Sequence, residues 1–256
     1  MVWNLTYGVL STQWHLSIFS TTVPVMREIM NSKLIALHFL DQILGIFGMA
    51  VALFWSSGRI DWWPAWAAIA VWLVWYTVMD IIILRFSPQL LAERLAPPKG
   101  AKSWDRGILS ILRMTQLVRY ILGGLDHRYG WTAGFPLAAQ IVALMMCSLS
   151  CALFAWAMES NKFFSQIVRI QSDHGHAVAT GGPYRYVRHP AYVAMILFEL
   201  ALATLFASWW ALLASGLCVI LFILRTALED RTLQVELTGY VEYSRQVRYR
   251  LLPGIW

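Results

Sequence analysis

From residue 34 onward the chain alternates long apolar runs with short polar links. A helix that crosses a bilayer needs about 20 mostly apolar residues. Residues 34–55, 62–84 and 135–156 each meet that length. Asp41 and Asp80 fall near run ends, where the membrane interface accommodates charge. Trp62, Trp63 and Trp66 open the second run as an aromatic belt. Residues 191–207 and 209–228 read as a tight helical hairpin turning at Ser208. Residues 108–125 form a weaker run holding Arg113, Gln116 and Arg119. Those side chains are costly in lipid and must face protein or the interface. The predicted fold is all-α: a polytopic integral membrane protein of about six transmembrane helices.

Composition narrows the reading. Of 256 residues, 59% are hydrophobic and 13% charged, whereas soluble domains carry about 25% charged residues. A soluble chain of this size lacks the interior to hide so many apolar side chains. An ordinary cytosolic enzyme, a disordered chain and a nucleic-acid binder are therefore excluded, despite the net charge of +6. Cys147, Cys151 and Cys218 lie in apolar runs, so no disulfide framework is expected.

Charge placement gives an orientation. With the N-terminus cytoplasmic and all six runs crossing, sixteen of the twenty basic residues fall on the inner side. Arg59 and Arg128 fall outside, and Arg113 and Arg119 lie within a span. Cytoplasmic loops carry such an excess of Lys and Arg, so both termini are expected in the cytoplasm. Residues 1–33 show neither a basic n-region at their start nor a small-residue cleavage site. They read as an interfacial segment, not a signal peptide. Pro97-Pro98-Lys99-Gly100 marks a loop. One membrane domain over 1–256 is the simplest organisation, with transmembrane helices one to four in 34–156.

Polar, motif-like sequence is concentrated in residues 165–192 and 225–256. The first contains Gln171, His174 and His176, then Gly182-Pro183-Tyr184-Arg185-Tyr186-Val187-Arg188-His189-Pro190-Ala191-Tyr192. Pro190 suits the first position of a helix, where no amide is needed. His189 then stands where free amides gather, a natural place for a carboxylate. In the second stretch Arg225 and Glu229 are one turn apart and can pair. Asp230 follows directly, and two adjacent acids at a membrane exit call for partners or a cationic ligand. The i, i+2 spacing of His174 and His176, without nearby Cys, does not make a metal site. Glu199 is isolated within residues 191–207. An intramembrane acid is a functional candidate, binding a substrate group or pairing with Arg113 or Arg119.

The Gly182–Tyr192 motif, the Arg225…Glu229-Asp230 set and the tail Arg248-Tyr249-Arg250-Leu251-Leu252-Pro253-Gly254-Ile255-Trp256 resemble the isoprenylcysteine carboxyl methyltransferase family. The similarity covers about residues 160–256. Residues 88–94 and Lys102-Ser103-Trp104-Asp105 look like those of its bacterial members. The resemblance implies a membrane methyltransferase, placed in a bacterial inner membrane, with residues 157–256 as its core and the C-terminal segment as a cap. It implies S-adenosyl-L-methionine as cofactor, bound at the cytoplasmic face. Gln171, His176, Tyr184, Arg188, His189, Pro190, Glu229 and Asp230 would bind that cofactor. Arg225 and Glu229 would be catalytic, and Tyr192, Glu199, Tyr243 and Arg248 would meet the methyl acceptor. Two or three Trp residues would line a portal for the acceptor.

The expected partners are a lipophilic substrate and membrane lipids. Prenylated proteins are not expected in the bacterial branch. Phospholipid amines, thiols and small lipophilic acids therefore all stay open as acceptors. Two rivals also stay open. Membrane sterol reductases, which use NADPH, have a similar tail. A transporter or scaffold would show polar paths inside the membrane, which only Glu199 and the two helix arginines suggest.

Overall fold

The structure, a computed structural model, describes residues 32–86, 100–171 and 175–256. The 88–94 element, the Pro97-Pro98-Lys99 turn, His174 and nearly all of the expected N-terminal interfacial segment lie outside these residues. Among the described residues there are seven α-helices and one short 3₁₀ turn, and no strand. The helices are α1 (Ser32–Ser57), α2 (Trp63–Phe86), α3 (Ser103–Tyr129) and α4 (Leu137–Glu159), then α5 (Pro190–Leu205), α6 (Trp209–Glu236) and α7 (Tyr240–Gln246). The 3₁₀ turn spans Gly182–Arg185.

Five helices, α1 to α4 and α6, are long and apolar enough to cross a membrane. The chain is an all-α polytopic membrane protein. The weak 108–125 run is part of the continuous 27-residue α3. In place of a sixth full-length crossing, residues 191–207 give the 16-residue α5. At 1.5 Å per residue α5 is about 24 Å long, short of the roughly 30 Å hydrocarbon core. The N-terminus of α5 is therefore set below the end of α6, whose 28 residues span about 42 Å. That offset makes room for a site.

The α5–α6 hairpin turns where the sequence predicts. Ser208 caps α6, its Oγ accepting the Ala211 amide at 3.0 Å, and its short polar side chain satisfies an amide that the helix leaves unpaired. The helices pack as a ring in the order α1, α2, α4, α5, α6, α3, with α5 also touching α2. At the α1–α3 crossing, Gly124 lies so close to α1 that any Cβ would strike Ser56 Oγ and the Leu53 carbonyl. Without water to drive association, such small residues let membrane helices approach closely. Trp75 joins α2 to the rest, its ring 4.8 Å from that of Phe154 and 5.2 Å from that of Phe198.

Several buried polar residues inside the spans have partners. Arg119 is fully buried and paired with Glu199. Gln116 donates to the other Glu199 oxygen at 2.7 Å. Glu199 thus takes the structural role, and of the two arginines that could pair with it, Arg119 does. Asp80, expected at the interface, is buried between α1 and α2, with His38 Nε2 at 2.8 Å and Gln42 donating at 3.0 Å.

Candidate active site

A cavity of about 400 Å³ opens among α2, α3, α5, α6, α7 and the loop after α4. Its volume falls within the roughly 300–1,000 Å³ typical of small-molecule sites. The loop is shaped locally. Asn161 Oδ1 accepts the Phe163 amide at 2.9 Å, a side-chain turn that ends the helical run. Gly182 starts the 3₁₀ turn at φ 54° and lies against Ser160 and Trp156, where a side chain would collide. Only glycine meets both conditions.

After the turn, residues 188 and 189 run beside the tail. The Arg188 amide donates to the Tyr249 carbonyl, and the His189 amide to the Arg250 carbonyl, both at 2.9 Å. Pro190 then begins α5 as predicted. These bonds correct one expectation. The amides at the start of α5 do not form an open anion cradle, because the tail occupies the His189 amide and Tyr192 donates back to the His189 carbonyl.

Asp230 ties this end of the molecule together. It is fully buried. Arg188 Nε and Arg250 Nε each reach it at 2.9 Å. Tyr240 donates its hydroxyl at 2.9 Å and Gln234 its amide at 2.8 Å, and His189 Nε2 lies at 3.3 Å. One carboxylate thus joins α5, α6, α7 and the tail. With this many donors it offers no free face to a ligand.

A second buried acid positions Arg225. Asp105, in the first turn of α3, takes Arg225 Nε at 2.7 Å and the Val168 amide at 2.8 Å. Arg225 also donates to the Gln166 carbonyl at 2.7 Å. The helical spacing suggested that Arg225 pairs with Glu229. The structure gives it Asp105 instead, because a charged oxygen held in the protein interior outcompetes a more exposed one. Glu229 accepts the Tyr192 hydroxyl. It is the one carboxylate among the described residues lining the cavity.

The remaining lining is aromatic and basic. His176 lies beside Phe163, with ring centroids 4.8 Å apart, and its Nδ1 accepts the Gln171 amide at 3.2 Å. Burial and the neighbouring Arg169 lower its pKa. The ring is therefore neutral at physiological pH, with its proton on Nε2. Tyr243 donates to the Tyr184 carbonyl at 2.7 Å. Burial raises the pKa of Tyr184, Tyr240 and Tyr243, so all three keep their hydroxyl protons.

Residues 141–235 match the sequence profile of the isoprenylcysteine carboxyl methyltransferase (ICMT) family. Over this segment the chain is similar to the ICMT family. No curated protein sequence matches it. The ICMT segment runs from α4 through most of α6 and contains Arg188, His189, Arg225, Glu229 and Asp230. It supports a membrane methyltransferase.

The cavity brings together His176, Tyr184, Arg188, His189, Tyr192, Arg225 and Glu229 of the matched segment, with Tyr243 beyond it. Other expected residues lie outside its lining. Gln171 is buried and donates to the Phe163 carbonyl at 2.9 Å, closing the loop. Pro190 is buried as the first residue of α5. Arg248 is exposed. Glu199 and Asp230 are held by protein partners. Sequence reasoning assigned no site role to Asp105 or Tyr240. Two of the Trp residues, Trp72 and Trp75, do line the cavity.

Proposed function

We propose that this protein uses S-adenosyl-L-methionine to methylate a lipophilic acceptor that reaches the cavity from the bilayer. The observation that carries the reading is Glu229, a lone carboxylate on the cavity wall amid tyrosine and histidine side chains. That set fits the cofactor's charges. Glu229 suits an ammonium group. The faces of Tyr184 and Phe163 suit a sulfonium by cation–π attraction; that of Tyr192 already carries the Arg225 guanidinium at 5.3 Å. His176, neutral with a proton on Nε2, suits a carboxylate.

Bound there, the cofactor supplies a methyl group on a positively charged sulfur. The protein's own task is to align the acceptor, keep water out and hold charges in place. Arg225 and Asp105 fix the loop that closes the cavity. Asp230 fixes the tail against α5. An ionised carboxylate or thiolate acceptor needs no base, whereas an amine must first lose a proton. If all six runs cross with the N-terminus in the cytoplasm, sixteen of the twenty basic residues fall on the inner side, and that orientation turns the cofactor end of the cavity to the cytoplasm.

Thermal unfolding of the purified protein with S-adenosylhomocysteine tests this. A ligand that binds only the folded state raises the unfolding midpoint. The expected result is a concentration-dependent rise that Glu229→Ala removes. A rise with NADPH and none with S-adenosylhomocysteine would overturn the reading in favour of a reductase.

A further inference from the structure

The tail motif holds residues that the cavity does not use. Arg248 is exposed, as are Arg185 of the 3₁₀ turn and Arg245 of α7. Among the described residues none of the three forms an ion pair, whereas Arg188 and Arg250 are held by Asp230. The three share one part of the molecule. The Arg188 guanidinium donates to the Ser244 and Val247 carbonyls at 3.2 and 3.3 Å, and residues 188 and 189 pair with Tyr249 and Arg250. The 3₁₀ turn, the end of α7 and the tail therefore lie side by side. Glu242 is the one acid in residues 182–189 and 240–256.

Helix lengths give the depth of this region. The 3₁₀ turn lies against Ser160 and Trp156 at the end of α4, whose 23 residues span about 34 Å. That is close to the roughly 30 Å of a hydrocarbon core, so the turn stands at the bilayer surface. The tail reaches the same level independently. Leu251 is buried in one apolar cluster with Leu112 of α3 and Leu221 and Phe222 of α6, two of the membrane-crossing helices. On either side of it the tail exposes apolar groups. The Ile255 amide closes a turn on the Leu252 carbonyl at 3.1 Å, leaving Leu252 50% and Ile255 78% exposed. Tyr186 is 66% exposed beside Arg185. Arginine and tyrosine above apolar tips, at that depth, make an interfacial surface.

We infer that this surface is a binding site for anionic phospholipid. Arg185, Arg245 and Arg248 take the head-group phosphates, and Leu252 and Ile255 enter the acyl layer beneath. The tail is then fastened twice, to Asp230 on its inner side and to the bilayer on its outer side. A free phosphate carries the same charge but leaves the apolar tips in water, so the lipid is the better fit. The site lies outside the cavity, and its test needs no cofactor, so its failure leaves the methyl-transfer reading untouched.

The test follows thermal unfolding of the full chain in a neutral detergent, titrated with dioleoyl phosphatidylglycerol or with dioleoyl phosphatidylcholine. A lipid that binds the folded state raises the midpoint. Each arginine near an anionic surface contributes about fivefold in affinity. The phosphatidylglycerol rise is therefore expected to reach half its maximum at about a tenth or less of the mole fraction that phosphatidylcholine needs. The variant Arg185→Gln/Arg245→Gln/Arg248→Gln brings the two lipids to within about twofold of each other, by weakening phosphatidylglycerol alone. Its midpoint without lipid stays that of the wild type, because the three side chains are exposed. Should that midpoint fall instead, the wild type decides the matter: NaCl at about 1 M screens charges beyond about 3 Å and must narrow the same preference. Leu252→Ser with Ile255→Ser moves both lipids to higher mole fractions. Inorganic phosphate leaves the midpoint unchanged. Equal response of the wild type to both lipids, a preference that neither the triple variant nor salt reduces, or a rise reproduced by phosphate alone overturns the inference.

Discussion

Asp105 at the start of α3 holds Arg225 of α6 through a 2.7 Å bond between residues 120 positions apart in sequence. The same carboxylate takes the Val168 amide at 2.8 Å. One buried acid therefore fixes both the arginine and the loop that covers the cavity.

Replacing that acid leaves a buried guanidinium without its counter-charge. Breaking a buried pair from one side costs about 3–5 kcal/mol. Asp105→Ala is expected to lower the thermal midpoint sharply and to abolish stabilisation by S-adenosylhomocysteine. Asp105→Ala with Arg225→Met should be less destabilised than the single aspartate variant, because no lone charge remains. A double variant as unstable as the sum of the two singles would contradict this pairing.

Adjacent acids on α6 should behave in opposite ways. Asp230 is fully buried with five partners, whereas Glu229 lines the cavity. Asp230→Asn is expected to reduce thermal stability by roughly 3 kcal/mol or more, as for other buried ion pairs. Glu229→Gln should leave the unliganded midpoint nearly unchanged and remove the ligand-induced rise. A stable Asp230→Asn protein with normal ligand response would show that the five contacts are dispensable.

Much of this was legible in the sequence, for physical reasons. Apolar run length decides whether a helix can cross a bilayer, so α1, α2, α4 and α6 were readable directly. The α5–α6 turn was readable because Ser208 caps a helix, and the start of α5 because Pro190 suits a first helical position. What pattern cannot supply is the choice between competing partners. Arg225 lies one turn from Glu229 in sequence, but Asp105 reaches it only after α3 packs against α6. The anion-binding expectation for His189 failed for the same reason: the tail, distant in sequence, takes the amide. Asp230 read as a ligand because adjacency to Glu229 says nothing about which way each acid points.

Acid pH should weaken the cofactor end through His176. Burial, and then Arg169, lower the pKa of this histidine in the folded protein. The unfolded chain carries its proton near the ordinary value of about 6.5. Below that value the unfolded state binds more protons than the folded state, so stability falls as pH falls. The thermal midpoint is expected to drop between about pH 7 and pH 5, and His176→Gln should drop less over that window. Parallel pH curves for the two proteins would place the titration elsewhere.

Gly182 provides the last test, because its requirement is steric and independent of charge. Its φ of 54° is left-handed, a region costing non-glycine residues about 1–2 kcal/mol. A Cβ there would also strike Ser160 Oγ and press on the Trp156 indole nitrogen. Gly182→Ala is therefore expected to destabilise the protein by about 2 kcal/mol or more, since strain and overpacking act together. Ser160→Gly in the same chain removes the colliding hydroxymethyl group but not the backbone strain. The double variant should recover part of the lost stability and no more. Full recovery would assign the whole effect to crowding, and no recovery would assign it to backbone conformation alone.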